Sequence, residues 1–135
     1  MTNILKRSTR QRDAIRFALQ AAKRPLSAQE LLAATQAKVP SLGMATVYRN
    51  LKLLLEEGAI QAVALPGEIA HYEMAKLGHH HHFQCTACER VFDVPECSDD
   101  LDRLAPRGFT VEHHEVTLYG HCAACAARER KKKTG

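Results

Sequence analysis

Apolar residues recur along the first part of the chain at helical spacing and mark out three short helices. Ala14, Ile15, Phe17, Ala18, Leu19, Ala21 and Ala22 form a stripe that stops at Lys23-Arg24-Pro25, with Thr9 as the expected N-cap. Ser27-x-x-Glu30 is a capping-box pattern, in which hydroxyl and carboxylate each accept the other's backbone N–H. It predicts a second helix over about 27–37. Residues 39–43 read as a loop. A third helix is expected over about 45–57, closed by Gly58. Val47, Leu51, Leu54 and Leu55 fall at i, i+4, i+7 and i+8 and are assigned to its core face. Thr46, Tyr48, Arg49, Asn50 and Lys52 are left on the other side.

Past Gly58 the helical pattern gives way to two short segments around a turn. Segments 60–65 and 69–74 flank Pro66-Gly67-Glu68 and are expected to pair as a hairpin. Three helices followed by a hairpin describe a winged helix-turn-helix, with the hairpin as the wing. The rest is expected to be short strands around metal. Phe83-Gln84 and residues 90–94 are β-type, Ser98 caps a helix to about Ala105, and 110–119 is a long strand. Residues 126–133 form a last helix whose end frays. The fold class is α+β, with a division into residues 1–75 and 76–135.

Charge sharpens that division. Residues 1–58 carry ten Lys/Arg against four Asp/Glu, residues 59–127 four against ten, and residues 128–135 five against one. A basic front half suits a polyanion, and an acidic half rich in His and Cys suits cations. No apolar run approaches the ~18 residues of a membrane span, so no membrane partner is expected. Aromatics make up only 5% of the 135 residues and Trp is absent, so the back half has few large side chains for a core. A metal staple would compensate.

Cys85-x-x-Cys88 and Cys122-x-x-Cys125 supply such a staple. Each pair sets two thiolates on one tight turn, and two pairs brought together make a closed tetrahedral zinc site. Disulfides fit poorly, because five cysteines is an odd number and no secretion signal is expected, so a reducing cytosol would keep the thiols free. Four histidines, His79 to His82, stand directly before the first pair. On a β-like segment His79 and His81 project to one side and His80 and His82 to the other, so one run can serve two sites.

Taken together, these residues resemble the ferric uptake regulator (Fur) superfamily over residues 8–126. The resemblance is carried by Thr-Arg-Gln-Arg at 9–12, Leu-Ser-Ala-Gln-Glu-Leu at 26–31 and Met-Ala-Thr-Val-Tyr-Arg-Asn-Leu at 44–51. It continues through His71-Tyr72-Glu73, the histidine run with the first CxxC, and Leu118-Tyr119-Gly120-His121 with the second. It implies a cytoplasmic, homodimeric, metal-gated repressor of a double-stranded DNA operator, with a winged helix at 1–75 and a small α/β dimerisation domain at 76–135. It further implies structural zinc on Cys85, Cys88, Cys122 and Cys125. A regulatory hinge site is implied at Glu73, His80, His82 and Asp93, and a second site at His79, His81, Asp100 and His121. Thr46, Tyr48, Arg49, Asn50, Lys52 and Arg12 become the expected DNA contacts. The regulatory ion is expected to be Zn(II), Fe(II) or Mn(II), and the histidine richness favours zinc.

Two departures from the pattern bear on the branch. Pro25 occupies the place where relatives often have a ligating His, which tells against peroxide sensing. Ala75 stands where the zinc-sensing branch commonly has a Cys. Cys97 is spare: a regulatory ligand, a redox-active thiol or a small buried residue. His113 and His114 are adjacent, so only one can face inward, and a structural role is expected.

Other classes fare worse. A thiol oxidoreductase usually has its CxxC opening a helix, which neither pair is expected to do. A zinc hydrolase needs an open coordination position and a motif such as HExxH, which is missing. A passive zinc store leaves the winged helix unexplained. No enzyme activity and no small-molecule substrate are expected.

Overall fold

Helix α1 spans Thr2–Ala22, well ahead of the expected cap at Thr9. Residues 3–8 contain neither Gly nor Pro, so nothing in the sequence halts the helix there. This structure, a computed structural model, describes residues 2–63, 65, 69–97 and 99–134. The chain divides into two compact units, Met1–Leu77 and Gly78–Gly135, where the sequence suggested a boundary after residue 75. On α1, Ile15 and Leu19 are buried four residues apart, and Ala18 and Ala22 pack beside them. Phe17 is 53% exposed, off the core stripe, with the Lys38 ammonium 3.5 Å above its ring.

A short strand, β1 (Leu26–Ser27), leads into α2 (Ala28–Gln36) through the expected capping box. Glu30 N donates to Ser27 Oγ at 3.2 Å and Ser27 N donates to Glu30 Oε1 at 3.2 Å. Arg24 donates to Glu30 Oε2 at 2.6 Å, so one carboxylate ties the entry of α2 to the end of α1. Helix α3 covers Met44–Glu56 and ends before Gly58, whose φ of 74° lies in the left-handed region that glycine enters without strain. Val47, Leu51 and Leu54 are fully buried, but Leu55 is 37% exposed. The i+8 position drifts past the edge of the apolar face, since 3.6 residues per turn carries it about 80° round from Val47.

Strands β2 (Ile60–Val63) and β3 (His71–Met74) pair antiparallel, with Gln61 opposite Glu73, and β1 adds to the free side of β3. The sheet order β1-β3-β2 closes a helical core of Ile15, Leu19, Leu26, Leu31, Leu42, Val47, Leu51, Leu54 and Ile60. The expected wing turn, Pro66-Gly67-Glu68, lies outside the described residues. His71 is buried. Its Nδ1 donates to the Ile69 carbonyl at 3.0 Å and its Nε2 lies 3.9 Å from Glu30, so both ring nitrogens face groups of the first unit.

In the second unit β4 (His81–Cys85) is central, with β5 (Val91–Val94) antiparallel on one side and β6 (Thr117–Gly120) parallel on the other. The long strand expected over 110–119 shrinks to β6, because β4 offers β6 only the positions from His82 to Cys85. The expected helix up to Ala105 is a 3-10 helix, Asp99–Leu104, cut short ahead of Pro106; its expected cap Ser98 lies outside the described residues. Helix α4 runs Ala123–Thr134, past the expected fraying point, since Arg and Lys are good helix formers. The buried cluster of this unit is Cys85, Cys122 and Cys125, with Phe83, Phe92 and Cys88 against it. Gly120 lets β6 lie on Phe83: a Cβ there would meet the ring at 3.3 Å.

Ser27→Ala removes one half of the capping box and should cost about 1 kcal/mol of stability. Denaturant unfolding followed by helical circular dichroism measures it, and an unchanged midpoint would mean the box does not hold the first unit.

Candidate metal centres and nucleic-acid face

The four thiols meet because two backbone turns meet. Cys85 ends β4 and Cys88 follows in a turn closed by Glu89 N donating to Cys85 O at 2.9 Å, with Glu89 itself at φ 65°. Gly120, at the end of β6, stands opposite Cys85, and its carbonyl accepts from Thr86 N at 2.7 Å. Cys122 and Cys125 then open α4. This corrects the expectation that neither CxxC opens a helix, since a β6–turn–α4 passage puts Cys122 at the helix start. All four sulfurs are free thiols lying within 4.8 Å of one another, and Cys88 Sγ is 3.8 Å from Cys122 Sγ. Zinc–sulfur bonds of about 2.3 Å in a tetrahedron give an edge of about 3.8 Å, so the donor set and its spacing fit zinc.

Electrostatics point the same way. The backbone N–H groups of Cys122 and Cys88 donate to Cys85 Sγ at 3.3 and 3.4 Å and hold that thiol down at about 5. Cys122 is lowered chiefly by the N–H of Cys125. Burial pushes Cys125 up to about 12. Four clustered thiols, three of them buried, therefore do not all ionise unaided, and a divalent cation is what lets them. Arg128 Nη2 donates to Cys125 Sγ at 3.5 Å and adds a positive charge at the rim.

The histidine run splits by face as expected. His80 and His82 stack edge-on at 4.8 Å, and His79 and His81 do so at 4.6 Å. Asp93 stands directly across the ladder from His82, and its Oδ1 is 3.6 Å from His82 Nε2 and 3.5 Å from His80 Nε2. His80 Nδ1 sits 2.8 Å from the Gly78 carbonyl. A carbonyl only accepts, so Nδ1 carries the proton and Nε2 offers its lone pair toward Asp93. Two imidazoles and a carboxylate within 4.8 Å fit a borderline divalent ion. Glu73, the fourth residue implied, belongs to the first unit, where it is buried and accepts from Gln61 Nε2 at 2.8 Å.

On the opposite face the grouping differs from expectation. His79 and His81 gather with Cys97 and His114. Asp100 is largely exposed and pairs with Arg103 at 3.5 Å. His121 pairs with Glu129 at 2.9 Å on α4. Neither joins the cluster, because Asp100 turns outward on the 3-10 helix and His121 is drawn to Glu129, eight residues further along. Cys97, the odd fifth cysteine, and His114, the inward member of its pair, were the available signals.

In the first unit, Tyr48, Arg49 and Lys52 are exposed on α3, with Thr46 partly so. Asn50 is 4% exposed, which takes it off the face assigned to it; its Nδ2 donates to the Thr46 carbonyl at 2.9 Å. At i+3 from Val47 it falls within the buried stripe. Arg12 is half-buried and bridges to Glu57 at 3.5 Å, linking α1 to the end of α3.

Comparison with known proteins follows the same lines. Residues 5–119 match the ferric uptake regulator family. The ferric uptake regulation protein of Bacillus subtilis (strain 168) is 31% identical over 128 residues, covering 90% of this chain and 86% of that protein. The peroxide operon regulator of the same organism is 29% identical over 106 residues, covering 76% and 72%. A solved zinc-bound manganese uptake regulator matches with a TM-score of 0.72 at 25% identity, over 83% of this chain and 87% of that one. The chain belongs to the ferric uptake regulator family.

Cys122→Ser should lose one zinc per chain and loosen the second unit, because a closed thiolate site contributes its binding energy to folding. Metal analysis and proteolysis of the purified variant test this. Zinc in the wild type should also be released as pH falls, since protons compete for the same sulfurs. A variant as protease-resistant as the wild type without its zinc would show the site to be dispensable.

Proposed function

We propose that this family member is a metal-responsive, DNA-binding transcriptional repressor, acting as a cytoplasmic homodimer on a double-stranded operator and responding to zinc. The observation that carries it is the pairing, in one chain, of an exposed polar and cationic face on α3 with a separate His/carboxylate cluster. The first reads DNA and the second reads metal.

On the DNA side, Arg49 can pair bidentately with a guanine edge, while Lys52 and Thr46 suit phosphate. Tyr48, 53% exposed on an otherwise polar face, offers ring and hydroxyl to sugar or base. Arg12 is proposed as a phosphate contact that keeps its hold on Glu57. On the metal side, His80, His82 and Asp93 are proposed as the sensor. Glu73 comes only seven residues before His80 in the sequence and is proposed as the fourth ligand. An ion held from both sides of so short a linker restricts the poses of the DNA-binding unit. It thereby favours those in which both recognition helices of a dimer reach successive major grooves. A coupling of ~1–3 kcal/mol suffices for a ~10–100-fold change in DNA affinity.

The four-cysteine centre supports this reading as a structural site, since all its positions are closed by protein thiolates. An enzyme would need an open position there. Among the described residues no helix is long and apolar enough to cross a membrane.

Arg49→Ala should weaken operator binding by ~1–3 kcal/mol and relax specificity at one base, with metal content unchanged. Binding isotherms at fixed salt measure it, and unaltered affinity would place the reading face elsewhere. Combined His80→Ala and His82→Ala should keep the cysteine-bound zinc yet abolish the response of DNA binding to buffered zinc, iron and manganese. A full response in the double variant would remove the sensor from this face.

A further inference from the structure

The first unit holds a cavity of about 280 Å³ beside the exposed face of α3. Ser27 and Gln29 at the start of α2, Tyr48 on α3, and Ile69 and Tyr72 at β3 line it. Several of its walls are hydrogen-bond donors with no acceptor. Tyr72 packs in the helical core and is 9% exposed, yet among the described residues nothing bonds its hydroxyl. Ser27 is 8% exposed; its Oγ accepts the Glu30 N–H, and the hydroxyl's own proton has no described acceptor. A helix leaves its first four N–H groups without intrahelical partners. In α2 the capping box satisfies those of Ser27 and Glu30, which leaves the N–H groups of Ala28 and Gln29.

Buried donors without partners are costly, so the group that suits this cavity is an acceptor. Hydroxyl and backbone donors gathered at a helix N-terminus suit an oxyanion. No acidic side chain opposes it among the described lining residues, and the Glu30 carboxylate of the same turn is held by Arg24 and Ser27 N. Nor is there a Lys or Arg among them, which disfavours a free phosphate dianion and favours a phosphodiester carrying a single charge. Ile69 and the Tyr72 ring offer apolar surface to the attached sugar. The location agrees with this chemistry. In a helix-turn-helix the helix before the recognition helix crosses the nucleic-acid backbone, which is the place of α2, and Tyr48 belongs both to the cavity and to the exposed face of α3.

We propose that this cavity seats one backbone phosphate of each DNA half-site, held by the Tyr72 hydroxyl and the first turn of α2. This rests on the DNA-binding reading of α3 and adds a contact that carries no sequence information. A phosphate fixed at the start of α2 sets the register in which α3 meets the base edges. Tyr72 is a positioning residue: Arg49 reads a base, and Tyr72 decides where along the strand it is presented.

The probe is a duplex selected from a random pool by the full-length, metal-loaded protein, with a methylphosphonate placed at one linkage at a time. That replacement removes the charge of the linkage and one acceptor oxygen. Tyr72→Phe should bind the unmodified duplex about 10-fold more weakly, the loss expected for a hydrogen bond to a charged group. At a single linkage in each half-site the methylphosphonate should weaken the wild type and cost Tyr72→Phe nothing further; at other contacted linkages it should weaken both alike. The loss should be equal on single-base variants of the duplex, unlike that of Arg49→Ala. The slope of log affinity against log salt should be unchanged in Tyr72→Phe, because a neutral hydroxyl releases no counterion, and shallower by about 0.9 in Lys52→Ala. Phenylalanine keeps the ring in the core, and an undiminished melting temperature and zinc content show that the variant is folded. Wild-type affinity in Tyr72→Phe, or no linkage at which the two losses overlap, overturns the contact and leaves base reading by Arg49 standing. Competition by inorganic phosphate beyond that of chloride at equal ionic strength makes the cavity a free-anion site and overturns its assignment to DNA. A wild type that selects no duplex overturns the DNA-binding reading and this contact together.

Discussion

Four thiols converging on one buried point is the constraint on which the second unit depends. Its other packing partners there are few: Phe83, Phe92 and the close approach of Gly120. Without a cation the sulfurs disagree, Cys85 pulled toward thiolate by backbone N–H groups and Cys125 driven toward thiol by burial. A divalent ion resolves the disagreement by making all four thiolates favourable at once. The same contacts join β4, the turn after it, the end of β6 and the start of α4. The ion therefore does for this unit what a hydrophobic core does for the first.

Local signals were legible where chemistry and backbone coincide. Ser27 and Glu30 announced a capping box and the structure contains it, because both residues act within one helical turn. The alternation of His79 to His82 also survives, being a property of extended backbone alone. What failed needed tertiary knowledge. Leu55 and Phe17 are apolar yet exposed, since periodicity cannot say how wide the buried stripe is. Asn50 is polar yet buried, because its backbone position on α3 outweighs its composition. The 110–119 segment carries strand-like residues, but strands exist only where a neighbour pairs, and β4 begins only at His81, so residues before 117 have no strand beside them.

The third cluster shows a different limit. Asp100 and His121 fit a ligand pattern by type and by approximate place in the chain. Salt bridges to Arg103 and Glu129 hold them where they are. Cys97 and His114 replace them through the conformation of irregular segments, which no periodicity encodes. Resemblance to a family locates a site, but the loops decide its donors, and the donors decide which ions it prefers.

Strand β4 is the common element of the second unit's centres. Cys85 closes it, His82 faces Asp93 across the β5 ladder, and His81 takes the Val116 N–H just before β6. A five-residue strand with hydrogen-bonded neighbours on both edges has little freedom to adjust one end without the other. Its register fixes the His82–Asp93 pair, and a slip of one residue would exchange the two histidine faces. An ion bound at one face of β4 would therefore act on a strand that the other face and the thiolate centre also share. That is the physical form coupling between ions would take here: a shared strand whose register both sites need, in place of a direct contact between ligands.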